Sequence, residues 1–115
     1  MRSRETPLAK TAGDAWADEA EYTRYVEGER RLFAWCLVRF GGYSPDAAEG
    51  KALERYPYEP ITEPYRGLIF HELAWDWAMR LLFGDGYWFR RPELADSLQE
   101  WRLEYEREAG MRVRS

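Results

Sequence analysis

Glycines and prolines divide this chain of 115 residues into four apolar segments, and that division constrains the fold more than any other feature. The glycines cluster at 41–42 and 84–86, and three prolines fall within eight residues at 57, 60 and 64. Both residue types interrupt helices. Between them, apolar residues recur every three or four positions, and no alternating strand pattern of useful length appears. The sequence therefore predicts an all-α fold, a compact bundle of about four helices over residues 14–40, 45–56, 63–83 and 92–109.

Local signals place the ends of these helices. Ser44 is a typical N-cap, and Pro45 follows it at the first helical position. Thr62 and Pro64 offer the third helix a similar start. Gly110 is expected to end the fourth helix, because glycine readily adopts the backbone conformation that follows a last helical turn.

Composition indicates a single domain with a substantial core. Hydrophobic residues make up 45% of the chain and aromatic residues 17%, and each aromatic side chain buries on the order of 150–250 Å². Residues 1–12 lack an apolar period and are expected to form a flexible N-terminal arm. Residues 13–110 are then the helical domain, and residues 111–115 a C-terminal tail.

Charge and cysteine content narrow the class of protein. The net charge of −4 disfavours general nucleic-acid binding, which depends on neutralising phosphates. A single cysteine, Cys36, permits no internal disulfide. No apolar run reaches the roughly 18 residues of a membrane span, and the first residues lack the apolar core of a signal peptide. We therefore expect a cytoplasmic protein that does not bind membranes.

The only histidine, His71, is followed directly by Glu72, which suggests metal or acid–base chemistry. The H-E-x-x-H zinc motif needs a second histidine, and Trp75 occupies that position instead. One cysteine and one histidine are too few ligands for a zinc site of the usual kind. We therefore expect no metal, no cofactor and no catalytic residue.

On a continuous third helix with about 100° between residues, His71 and Glu72 point to different sides. Glu72 shares a polar face with Asp76 and Arg80, and the last two have the spacing of a helical ion pair. His71 falls in the apolar arc, which predicts a buried and hydrogen-bonded side chain. Glu29 falls inside the apolar stripe of the first helix and is a second candidate for a buried polar group. These residues leave open an alternative, an enzyme that uses His71 with Glu29 or Glu72.

The stretch from Tyr87 to Arg91 is the strongest candidate for a contact site. Tyr87, Trp88 and Phe89 precede Arg90 and Arg91 in a short link between two helices. Trp, Tyr and Arg are enriched at the energetic hot spots of protein interfaces. In one alternative interpretation, the aromatic residues close the end of the bundle. In another, Arg90 and Arg91 bind an anion or a nucleic acid weakly, beside the N-terminus of the following helix.

Two further surfaces are candidates for partner binding. The proline-rich link presents Tyr58 and Tyr65. The last helix carries four acids away from its apolar stripe, namely Glu93, Asp96, Glu100 and Glu104. The sequence as a whole favours a small non-enzymatic protein that acts by protein–protein contact, as a regulator, an inhibitor or an assembly accessory. The identity of the protein partner is open, and exposed aromatic residues are also compatible with a homodimer.

Overall fold

The computed structural model describes residues 16–114, with side chains described through residue 110. The predicted arm at 1–12 lies outside the described residues. The described part is helical without strands, which confirms the all-α class. Its α-helices are α1 (Glu19–Gly41), α2 (Pro45–Arg55), α3 (Ala74–Phe83), α4 (Tyr87–Arg90) and α5 (Gln99–Arg114), with 3₁₀ helices at Leu68–His71 and Pro92–Leu94. None of the helices in residues 16–114 is long and apolar enough to cross a membrane.

Helix α1 is the central element, and α2, α3 and α5 all pack against it. It begins at Glu19, because the Asp18 side chain accepts a hydrogen bond from the amide of Glu21 and so acts as the N-cap. The predicted start near residue 14 is therefore wrong. At the other end, Gly42 adopts a left-handed conformation with φ of 71°, which is the predicted glycine stop.

Helix α2 starts as the sequence predicts. The Ser44 hydroxyl accepts a hydrogen bond from the Ala47 amide at 3.1 Å, and Pro45 occupies the first turn. The buried face of α2 consists of Ala48 and Ala52, which are 0% and 1% exposed. Two alanines in these positions let α2 approach α1 closely.

The prediction of a third helix over 63–83 is wrong for residues 63–73. Only Ala74–Phe83 is α-helical, and Thr62 caps nothing. Gly67 adopts φ of 89°, and its amide donates to the Glu59 side chain at 2.9 Å. The chain therefore turns at Gly67 instead of continuing as a helix, and α3 begins only after Leu73.

A buried arginine explains why the segment before α3 folds back. Arg66 is 1% exposed, and its guanidinium donates two hydrogen bonds to Glu19 on α1, at 2.6 and 3.0 Å. The same group lies 3.6 Å from the ring centre of Tyr22, in a cation–π contact. The Tyr22 hydroxyl in turn accepts a hydrogen bond from the Glu59 amide. These contacts to α1 outweigh the local helix signals at Thr62.

The last helix begins at Gln99, later than the predicted residue 92, and it continues through Gly110 to Arg114. It runs antiparallel to α1, since Glu108 pairs with Arg31 at 2.6 Å and Glu100 pairs with Arg39 at 3.1 Å. Because the helical hydrogen bonds continue past Gly110, the predicted stop there is wrong.

Replacing Ala48 by leucine is expected to lower the free energy of unfolding by about 1–3 kcal/mol, because a larger side chain must fit between α1 and α2. Ala47→Leu is the matched control, since it makes the same change on the exposed side of α2. We expect that control to shift stability by less than about 0.5 kcal/mol. Urea denaturation followed by circular dichroism measures both variants, and equal stabilities would contradict the close approach of α2.

Candidate functional site

The aromatic-basic link forms a single helical turn, α4, that is fixed to the rest of the fold by Tyr87. Tyr87 is 2% exposed, and its hydroxyl donates to the Asp76 carboxylate at 2.9 Å. Burial raises the pKa of Tyr87, and the hydrogen bond to Asp76 raises it further. Tyr87 is therefore a core residue, contrary to its place among the predicted partner-binding residues.

Trp88 and Phe89, which we call the aromatic patch, lie on the outer side of this turn. Phe89 is 82% exposed and Trp88 is 38% exposed. Their ring centres are 5.8 Å apart, and the Phe89 amide donates to the carbonyl of Gly86 at 2.9 Å. The turn thus holds two large apolar side chains together at the protein surface.

The two arginines that follow the patch are engaged within the chain. Arg90 donates hydrogen bonds to the carbonyl oxygens of Phe83 and Asp85, which lie at the end of α3 and just after it. Arg91 stacks on the Phe83 ring at 4.5 Å and lies 3.8 Å from Glu93. Both guanidinium groups therefore stabilise the connection around α4.

A polar cluster centred on Asp76 lies beneath the patch. Asp76 accepts a hydrogen bond from Arg80 at 2.8 Å, which confirms the ion pair expected from their spacing. Interaction with Asp76, chiefly by hydrogen bonding between the two carboxyl groups, raises the pKa of Glu72 above its usual range. Arg80 extends from the cluster towards Trp88, with 5.6 Å between its guanidinium carbon and the ring centre.

The structure corrects the predictions made for His71. Its side chain is 39% exposed, and its Nδ1 lies 2.7 Å from the Leu68 carbonyl oxygen. Nε2 is 3.8 Å from a Glu72 carboxylate oxygen, so the two side chains approach each other. The predicted separation is wrong because a 3₁₀ helix ends at His71 and the backbone at Glu72 is extended. The helical projection that separated them does not apply to this segment.

Glu29 is 5% exposed and lies among the buried residues of α1. Tyr56 is fully buried, and this burial raises its pKa; the negative charge of Glu29 raises it further. The described contacts of the His71 ring nitrogens are with Leu68 and Glu72. A direct pairing of Glu29 with His71 therefore finds no support among the described contacts.

The other predicted surfaces are partly engaged in the fold. The Tyr58 hydroxyl donates to Glu19 at 2.9 Å, whereas Tyr65 is 68% exposed. Of the four acids assigned to the last helix, Glu93 and Asp96 precede α5. The other two form ion pairs within the chain, Glu100 with Arg39 and Glu104 with Arg107. The prediction that all four acids lie on the last helix is therefore wrong, because only Glu100 and Glu104 do.

Sequence reasoning missed the contact between Arg55 and Trp77, which are 4.4 Å apart from guanidinium carbon to ring centre. No spacing rule links two residues that meet only through the packing of α2 and α3. The role of Asp76 as acceptor for Tyr87 was missed for the same reason. The burial of Arg66 could not be predicted from the sequence either, because its partner Glu19 is distant along the chain.

Among residues 16–110, no group of three or more acidic, histidine or cysteine side chains could hold a metal ion. A scan against protein-family models finds no matching family, and searches of curated proteins and of solved structures give no significant match.

Replacing Glu72 by glutamine is expected to stabilise the protein at neutral pH. A raised carboxyl pKa means that the folded state binds the proton more tightly than the unfolded chain. The contribution of Glu72 to stability is therefore present at acid pH and is lost as the pH rises through its pKa. Glutamine keeps a donor towards Asp76 at every pH. The gain should stay below about 1 kcal/mol, because the side chain is partly exposed to solvent.

Thermal or urea unfolding of Glu72→Gln at several pH values measures this effect. The stability difference from the parent protein should shrink as the pH falls and disappear below about pH 3, where a glutamate is protonated in both states. Glu106→Gln, at an exposed acid of α5, is the matched control. A Glu72→Gln variant that is less stable than the parent at neutral pH would show that Glu72 functions there as a carboxylate.

Proposed function

We propose that this chain is a small non-enzymatic protein that acts by binding another protein through the aromatic patch, as a regulator, an inhibitor or an assembly accessory. The observation that carries the proposal is the 82% exposure of Phe89 beside Trp88. A large apolar side chain gains about 1.5–3 kcal/mol when it leaves water. A partner pocket that takes up Phe89 would therefore recover a substantial free energy.

The rigidity of the turn supports the same proposal. Tyr87 anchors α4 from below through Asp76, and Arg90 fixes it to the end of α3 through the carbonyl of Phe83. Because the turn is held before any partner arrives, little conformational entropy would be lost on binding. Exposed aromatic residues on a fixed support have the character of interface hot spots.

The charges beside the patch indicate the chemistry of the partner. Arg80 lies against Trp88 and is paired with Asp76, and Arg91 lies 3.8 Å from Glu93. Charges of both signs therefore border the patch. A protein with an apolar socket and a rim that carries both signs of charge would complement this arrangement. Light scattering distinguishes such a protein from a second copy of this chain.

An enzymatic role is the second candidate, and one observation favours it. His71 Nε2 lies 3.8 Å from Glu72, and the pKa of that carboxyl is raised by its hydrogen bond to Asp76. A histidine beside a carboxyl group with a raised pKa is an arrangement suited to acid–base chemistry. Turnover of a generic ester or phosphoester that is abolished in His71→Ala would support this role. The absence of such turnover would leave the docking proposal as the better one.

Replacing Phe89 by serine is expected to weaken partner binding at least about tenfold while changing stability by less than about 0.5 kcal/mol, because the side chain is exposed. Tagged parent protein first captures partners from the native host, and mass spectrometry identifies them. Binding of each purified candidate to the parent and to Phe89→Ser is then measured by titration calorimetry.

Leu103→Ser is the matched control, because Leu103 is 50% exposed on α5. A true partner must be retained by Leu103→Ser and lost by Phe89→Ser. Light scattering of the parent protein tests self-association in the same samples. A homodimer that dissociates on Phe89→Ser, or a partner that binds both variants equally, would contradict the proposal.

A further inference from the structure

A surface groove of about 500 Å³ lies where the end of α2 meets α3. Its size falls within the range of small-molecule sites, roughly 300–1,000 Å³. It combines aromatic, aliphatic and basic side chains, among them Phe33, Leu81, Trp77, Lys51, Arg55 and Arg80.

Trp77 provides a fixed wall of this groove. Its indole N–H donates to the carbonyl oxygen of Ile69 at 3.1 Å, which sets the orientation of the ring. The Arg55 guanidinium stacks over this ring, with 4.4 Å between its central carbon and the ring centre. Stacking on an aromatic ring satisfies the flat face of a guanidinium but not its N–H donors.

The donors of Arg55 have no acceptor within the described part of the chain. Its Nε is buried and makes no hydrogen bond, and no carboxylate of residues 16–110 lies within ion-pair distance of it. An unsatisfied buried donor costs on the order of 1–3 kcal/mol. Although Nε is buried, the Arg55 side chain lines the open groove, so an external acceptor can approach the guanidinium from that side.

The neighbouring cations differ from Arg55 in this respect. Arg80 donates to Asp76 at 2.8 Å, and Lys51 lies 3.5 Å from Glu54. Glu54 and Asp85 also border the groove, and Asp85 lies 3.8 Å from Arg80. The side chains of both acids are largely exposed, at 71% and 90%. Among the three cations that line the groove, Arg55 alone has no acidic partner in residues 16–110, which suits a ligand with a single anionic group.

We propose that this groove binds a small molecule with one oxyanion group, a phosphate or a carboxylate, attached to a flat apolar body. The terminal nitrogens of Arg55 would donate a pair of hydrogen bonds to the oxyanion. Lys51 supplies a second cation at the rim. The apolar body would contact Leu81, which is 45% exposed and lines the groove. This groove adjoins the aromatic patch at Arg80, but the proposal for it does not depend on the proposed function.

Nuclear magnetic resonance tests the site with three probes that share one ring: phenyl phosphate, benzoate and benzyl alcohol. The N–H signals of the Arg55 side chain and the Trp77 indole are followed at constant ionic strength, with chloride as the balancing anion. We expect saturable shifts of both signals with at least one anionic probe and none with the neutral alcohol. A preference between phenyl phosphate and benzoate then identifies the oxyanion. Shifts that fail to saturate, or that chloride alone reproduces, overturn the proposal.

Arg55→Gln should weaken binding of the preferred probe at least tenfold. Arg107→Gln is the matched control, because it removes an exposed arginine of α5 outside the groove. Lys51→Gln is expected to weaken binding severalfold, and it serves as the test if Arg55→Gln fails to fold. Unchanged affinity in Arg55→Gln, or in Lys51→Gln where that variant replaces it, overturns the proposal.

Discussion

The Asp76 carboxylate organises the face of the protein on which both proposed binding surfaces lie. It accepts hydrogen bonds from Arg80 on its own helix and from Tyr87 on the following turn. Without this acceptor, the hydroxyl of Tyr87 would be left under the surface with no partner, at a cost on the order of 1–3 kcal/mol. The position of the turn and the direction of Arg80 therefore both depend on one carboxylate.

A second constraint, far from Asp76, determines where α3 can begin. Arg66 is drawn into the core by Glu19 and by the ring of Tyr22, although the two ends of this ion pair are 47 positions apart. A buried charge is tolerated only when it is paired and hydrogen-bonded. Folding the chain back to α1 achieves that pairing, and the helix predicted from Thr62 onwards is lost as a consequence.

This contrast explains how much of the structure could be predicted from the sequence. The all-α class, the Ser44 cap and the glycine stop at Gly42 depend on local chemistry, and all were predicted. The start of α3 depends on a contact between distant residues, and it was not predicted. The candidate site divides in the same way. The sequence predicted the stretch from Tyr87 to Arg91 as a contact site, but only packing separates buried Tyr87 from exposed Phe89, because neighbouring helical residues face different directions.

The groove and the aromatic patch are joined through Arg80. Its guanidinium carbon lies 6.0 Å from the ring centre of Trp77 and 5.6 Å from that of Trp88. This contact by itself does not predict allosteric coupling between the two sites. Allosteric coupling requires a structural element with two conformations, which the two ligands stabilise to different extents. Asp76 holds Arg80 in one arrangement. Arg55, Trp77, Arg80 and Trp88 therefore form one composite surface, on which adjacent ligands would interact by direct contact and by charge.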